Sequence, residues 1–163
     1  MAFDPEIPVR ATLALEACRA RRWRVATAES CTGGLVAASM IAIAGSSDVV
    51  ECGLVTYSNK TKIELLGVPA ETISEHGAVS AETALAMARG AMVRAGVDLA
   101  VSVTGVAGPG GGTPQKPVGL VYLGLARKDG AARVERRIFP GDRGAVRAAA
   151  LTLALEMLRG EAA

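Results

Sequence analysis

The chain is poor in aromatic residues, in histidine and in net charge. Only 3% of its 163 residues are aromatic (one Trp, two Tyr, two Phe). That is too few for the stacking platforms on which single-strand nucleic-acid binders rely. The single histidine, His76, and three cysteines, Cys18, Cys31 and Cys52, show no C-x-x-C spacing. This excludes a disulfide framework and argues against zinc, so no metal is expected. Free thiols suit a reducing cytosol. A formal net charge of +2 is too balanced to imply a polyanion partner. The longest mainly apolar stretch, Leu35 to Ala44, is too short to span a bilayer. Asp4, Glu6 and Arg10 near the start are unlike a signal peptide. The expectation is a cytoplasmic protein with no nucleic-acid and no membrane partner.

What is present is small. Half of the residues are hydrophobic, mean hydropathy is +0.33, and there are 19 glycines. The length suits one domain, burying roughly 68–70% of its unfolded surface. Ala, Val, Leu and Ile supply the apolar mass, which predicts a core of small side chains with helices held close to a sheet. The one basic cluster, Arg19, Arg21, Arg22 and Arg24, falls where a first helix should end, as helix-dipole and solvation residues do.

Residues 5–21 read as a helix, and Trp23 to Ala28 as a short apolar strand. Leu35 to Ala44 is a buried helix ended by Gly45-Ser46-Ser47. Val49 to Tyr57 reads as a strand, and Ser58 to Leu66 as a helix ending at Gly67 with Pro69 beyond. Residues 70–79 read as a loop. A helix capped by Ser80 runs to about Ala95. Leu99 to Val103 is a continuous apolar strand, of the kind buried on both faces. Gly105 to Pro114 is a glycine-rich loop. Val118 to Arg127 and Arg133 to Phe139 form a hairpin through Asp129-Gly130, and residues 143–159 close the chain as a helix. Strands alternating with helices and finishing in an antiparallel pair predict a single-domain three-layer α/β/α sandwich over 1–163, with a mixed, mostly parallel sheet.

Sites in such sheets lie at the carboxyl ends of strands, beside helix N-termini. Three loops should meet there: Glu29–Gly34, Ser58–Lys62 and Gly105–Pro114. The first places Ser30 at a strand tip, followed by backbone N–H groups able to hold an oxyanion or anion. Ser30 is either a nucleophile or simply the cap of the following helix. A serine nucleophile needs a base. His76 is one option, in an expected surface loop. The other is a lysine, as in Ser–Lys hydrolases, and Tyr57-Ser58-Asn59-Lys60-Thr61-Lys62 supplies two. Spacing does not say which of them points inward. Cys31 is a rival nucleophile, since thiol pKa falls near a helix N-terminus. The Gly105–Pro114 loop could cradle a phosphate, or be only a turn. It is neither a Walker A loop nor a dinucleotide fingerprint.

These residues resemble the CinA family carboxy-terminal domain, and more closely its stand-alone nicotinamide-nucleotide amidases of PncC type. The matching motifs begin with Thr27-Ala28-Glu29-Ser30-Cys31-Thr32-Gly33-Gly34, Ile43-Ala44-Gly45-Ser46-Ser47 and Val55-Thr56-Tyr57-Ser58-Asn59-Lys60-Thr61-Lys62. They continue with His76-Gly77-Ala78-Val79-Ser80, Thr104-Gly105-Val106-Ala107-Gly108-Pro109-Gly110-Gly111, Lys116-Pro117-Val118-Gly119 and Gly141-Asp142-Arg143. The resemblance implies hydrolysis of nicotinamide mononucleotide to nicotinate mononucleotide and ammonia, without a cofactor, by a Ser, a Tyr and a Lys matched by Ser30, Tyr57 and Lys62, with Lys62 taking the serine proton directly or through Tyr57. With it come expected substrate contacts. Backbone amides near Cys31, Thr32 and Gly33 would hold the oxyanion, and Gly34 and Asn59 are further expected substrate contacts. Ser46, Thr104, Gly105, Gly108, Gly110, Gly111 and Arg143 would hold the ribose phosphate. It further implies a homodimer. The amino-terminal domain of longer members, with any ADP-ribose hydrolysis, is not expected in this chain. A non-catalytic nucleotide-binding module, or a competence-linked interaction module, is the alternative.

Overall fold

The two continuous apolar runs lie inside the sheet, as their lack of a polar face requires. Strand β1 (Val25–Glu29) is buried throughout, and β3 (Leu99–Gly105) is buried up to its last residue. The computed structural model describes residues 4–163. Its five-stranded sheet has the order β2-β1-β3-β4-β5. β2 (Val50–Val55), β1 and β3 run parallel, and β4 (Leu120–Arg127) and β5 (Ala132–Ile138) continue antiparallel. This is the three-layer mixed sandwich expected. Helices α1 (Glu6–Ala20), α2 (Leu35–Ile41) and α6 (Arg143–Ala162) cover one face, around Leu15, Met40, Val101, Leu123 and Leu155. Helices α3 (Asn59–Leu66), α4 (Ala70–His76) and α5 (Ala81–Ala95) cover the other, around Ala26, Leu66, Met87 and Ala100. Among the described residues no helix is long and apolar enough to cross a membrane.

Residues 70–79 are not all loop: α4 occupies 70–76 and only 77–79 form a connection. Pro69 sets the entry to α4, yet Ile73 is its one buried residue. One apolar contact in seven residues leaves no helical period to read.

The small-residue core has a direct structural consequence. A Cβ at Gly90 would overlap the Leu66 carbonyl, so α5 crosses α3 backbone to backbone. A Cβ at Gly124 would meet the Ala84 carbonyl in the same way, where α5 lies on β4. The basic cluster also has defined partners. Arg19 pairs with Asp48, and Arg24 with Glu51 at 2.7 Å. Arg21 donates to the Ala162 and Ala163 carbonyls and lies over the Trp23 ring. It therefore complements the C-terminus of α6, not that of its own helix.

Candidate active site

β1 ends at Glu29 and delivers Ser30 to the carboxyl edge of the sheet. The Ser30 N–H donates to the Val103 carbonyl (2.9 Å), tying the turn to β3. From the neighbouring strand the Thr56 N–H donates to the Glu29 carbonyl (2.8 Å), so β2 hands the chain to α3 beside Ser30. Ser58 caps α3, its Oγ accepting from the Thr61 N–H at 3.1 Å. With that start fixed, positions 60 and 62 lie about 200° apart around the helix. Lys60 points to solvent and pairs loosely with Glu64 at 3.8 Å. Lys62 points inward and is only 1% exposed.

Lys62 Nζ lies 3.0 Å from Ser30 Oγ. It also donates to the backbone carbonyls of Thr56 (2.8 Å) and Tyr57 (3.4 Å). Among the described residues no carboxylate contacts this ammonium. Burial therefore lowers its pKa from 10.5 to about 8, because a low-dielectric site disfavours the charged form. In the neutral amine, the two carbonyls can hold both N–H groups and the lone pair is left for the Ser30 hydroxyl. That is the hydrogen-bonding a general base requires.

Ser30 does not cap α2. The carboxylate of Glu29, 1% exposed, accepts from the N–H groups of Gly34 (3.0 Å), Val36 (3.1 Å) and Ala37 (2.9 Å). It accepts from the Thr27 hydroxyl as well, at 3.1 Å. Gly34, at the N-cap with φ +94°, has no side chain to offer. The amides of this turn are thus only partly open. Gly34 N–H goes to Glu29 and Gly33 N–H to the Ser30 carbonyl (3.1 Å), while those of Cys31 and Thr32 have no partner among the described residues. Across the turn, Arg147 of α6 donates to the Thr32 carbonyl at 2.8 Å.

Ser30, Cys31, Tyr57, Lys62, Thr104, Gly105 and Arg143 come together around a cleft of about 290 Å³, completed by Ala78, Val79 and Ala107. Tyr57 is 66% exposed at its mouth. Burial pushes the Cys31 thiol up to about 11, not down, so it is no ready thiolate. Thr104 donates its hydroxyl to the Ala78 carbonyl (2.7 Å), and Arg143 donates to the Gly108 carbonyl (2.9 Å). Asn59 starts α3 in solvent, and the exposed Gly110 and Gly111 stand outside the cleft wall. Ser46 is not brought to this site. It precedes β2, whose first residue Val50 pairs with Val25, at the opposite end of β1 from Ser30. His76 ends α4 beside Glu75 and Glu82 and makes no contact with Ser30. The larger cleft, about 830 Å³ between α3 and α5, contains none of these groups. Glu29 and Arg147 were not singled out by sequence reading. Glu29 carried a signal, an acidic residue directly before a helix-opening turn; Arg147 carried none.

The chain matches the CinA C-terminal domain over residues 9–162. It belongs to that family. A CinA-like protein of Citrifermentans bemidjiense is 59% identical over 135 residues, 83% of this chain and 32% of that protein. The chain thus spans about a third of the length of such CinA-like relatives. A nicotinamide-nucleotide amidohydrolase PncC of Enterobacter agglomerans is 50% identical over 140 residues, 86% of this chain and 85% of that protein. The competence/damage inducible protein CihA of Agrobacterium tumefaciens superposes with a TM-score of 0.94 at 45% identity, covering 98% of both chains. The buried lysine–serine pair thus sits within a CinA C-terminal domain.

Proposed function

We propose that this CinA C-terminal domain is an amidohydrolase that converts nicotinamide mononucleotide to nicotinate mononucleotide and ammonia. The observation that carries the reading is the 3.0 Å contact between Lys62 Nζ and Ser30 Oγ, with both residues buried in a cleft wall. The name of the PncC relative, a nicotinamide-nucleotide amidohydrolase, suggests the substrate.

Ser30 Oγ attacks the carboxamide carbon as its proton passes to Lys62 Nζ, and the carbonyl electron pair moves onto oxygen. The amides of Cys31 and Thr32 receive that oxyanion, each such donor contributing about 2.7–4 kcal/mol. Collapse breaks the C–N bond, and the Lys62 ammonium protonates the departing nitrogen, which leaves as ammonia. Water then attacks the acyl-enzyme, giving its proton to Lys62, and the proton returns to Ser30 as nicotinate mononucleotide departs. Lys62 lies within direct reach of Ser30, so Tyr57 is assigned to the pyridine ring at the cleft mouth and not to a proton relay. Thr104, Gly105 and Arg143 face the ribose phosphate. The three unpaired thiols favour a reducing, cytoplasmic setting. A homodimer is part of the reading, and sedimentation equilibrium tests it.

The chemistry is tested by ammonia release from nicotinamide mononucleotide and from free nicotinamide. Wild type should act on the nucleotide and not on the free base. Ser30→Ala and Lys62→Met should each lose at least about a hundredfold. Cys31→Ala keeps the backbone N–H and should still turn over; its complete inactivity would move the reaction to the thiol. Mononucleotide binding without ammonia release would favour the non-catalytic module.

A further inference from the structure

We infer that Glu29 is a positioning residue for the nucleophile: by accepting the N-terminal amides of α2, it keeps the Ser30 hydroxyl from capping that helix and leaves it for Lys62. The inference rests on the proposed role of Ser30. A helix N-terminus leaves orphan N–H groups, and a nearby serine or threonine hydroxyl is a usual acceptor. Here Ser30 and Thr32 both precede α2 by a few residues, and the N-cap itself is Gly34, with no side-chain cap. The amides of Gly34, Val36 and Ala37 all go instead to one carboxylate. Together with the Thr27 hydroxyl they bring four donors to two oxygens, the full acceptor capacity of a carboxylate.

The chain runs straight from this anchor into Ser30. Its N–H is fixed to Val103 and its Oγ faces Lys62. A glutamine at position 29 offers one oxygen and an NH₂ group; the Thr27 hydroxyl can turn to accept from that NH₂, but at least one of the three backbone N–H groups would then meet another donor. An amide freed in this way would compete for the Ser30 and Thr32 hydroxyls. Glu29 does not contact Lys62, so its effect runs through the turn and not through the charge of the base.

The experiment compares wild type, Glu29→Gln and Thr27→Val. It measures ammonia release from nicotinamide mononucleotide (kcat and KM) and the rate at which a fluorophosphonate probe labels Ser30, read by intact mass. For Glu29→Gln, kcat and the labelling rate should fall together by roughly ten- to a hundredfold, with KM within about threefold of wild type, as misplaced reacting groups do. Thr27→Val removes one of the four donors in a shape-matched side chain and should show a smaller fall of the same kind. A merely structural Glu29 would lower the melting temperature and leave kcat and labelling of the folded protein unchanged; that result overturns the proposal. If Glu29→Gln does not fold, Thr27→Val decides, and wild-type labelling and kcat there overturn it equally. Labelling needs no knowledge of the substrate. A wild type that neither labels at Ser30 nor releases ammonia would instead overturn the Ser30–Lys62 reading itself.

Discussion

Lys62 must lose a proton to act, and its burial determines when it does. Lowering the pKa from 10.5 to about 8 raises the neutral fraction at pH 7 from about one in three thousand to about one in eleven. The value of kcat/KM should therefore climb about fivefold from pH 7 to 8, about tenfold by pH 9, and level off above that. Ammonia release between pH 7 and 10 measures this, a window that keeps clear of the substrate phosphate, which titrates near pH 6. The same shift appears in stability with a definite sign. Between about 8 and 10.5 the unfolded chain still holds the Lys62 proton that the folded chain has released, so the contribution of this group to stability rises with pH across that interval. At 1.36 kcal/mol per unit, the rise from this one group is about 3 kcal/mol. Below pH 8 both states are protonated, and the cost of burying the ammonium is present in full. Burial also raises the Cys18 and Cys31 thiols to about 11, which lowers the stability of both proteins above about pH 9. Urea unfolding at several pH values is therefore read as the difference between wild type and Lys62→Met: between pH 8 and 10.5 that difference should shift by about 3 kcal/mol in favour of wild type. A kcat/KM that is flat from pH 7 to 9, or a stability difference between wild type and Lys62→Met that does not change with pH, would refute this assignment of the base.

Three further outcomes follow from the packing around the site. Lys60→Ala should leave kcat within about twofold and stability within about 0.5 kcal/mol, because an exposed, loosely paired lysine contributes little; activity and urea unfolding check it. Gly90→Ala should destabilise by about 1–3 kcal/mol or more through overpacking, since its methyl meets the Leu66 backbone; it should also lower kcat because α3 carries Lys62, and thermal unfolding with an activity assay reads both. Arg147→Ala removes a charged hydrogen bond from the Thr32 carbonyl, worth about 1.5–3 kcal/mol, and should reduce both stability and kcat; a KM change alone would mean that Arg147 binds substrate instead.

Most of the fold is legible along the chain because its signals are local. Ser80 caps its helix as expected, and Ser58, read as the first residue of the lysine-bearing helix, is its cap in the structure. Asp129-Gly130 turns the β4–β5 hairpin, with Gly130 at φ +97°. β1 and β3 are unbroken apolar runs, and such runs belong inside a sheet covered on both sides. Helix α4 escaped because its single buried residue, Ile73, makes no period. Ser46 was misplaced for a different reason: a motif says which residues recur, not which end of a strand they stand at.

The sequence by itself determined the architecture, the loop that carries Ser30 and the pair of lysines from which a base could come. Patterning, caps and glycine positions act over a few residues, so a reader of the chain can follow them. Only the tertiary structure decided among the candidates. Lys60 and Lys62 are equivalent on paper, and the seating of α3 beside the Ser30 turn buries one and leaves the other in solvent. Cys31 looked like a thiol activated by a helix terminus, but its burial raises the pKa to about 11. Whether Ser30 caps a helix or meets an amine depended on a neighbour, Glu29, whose carboxylate reaches amides five to eight residues on. Such outcomes turn on desolvation and on competition for donors, and both exist only once distant segments share a dry interior.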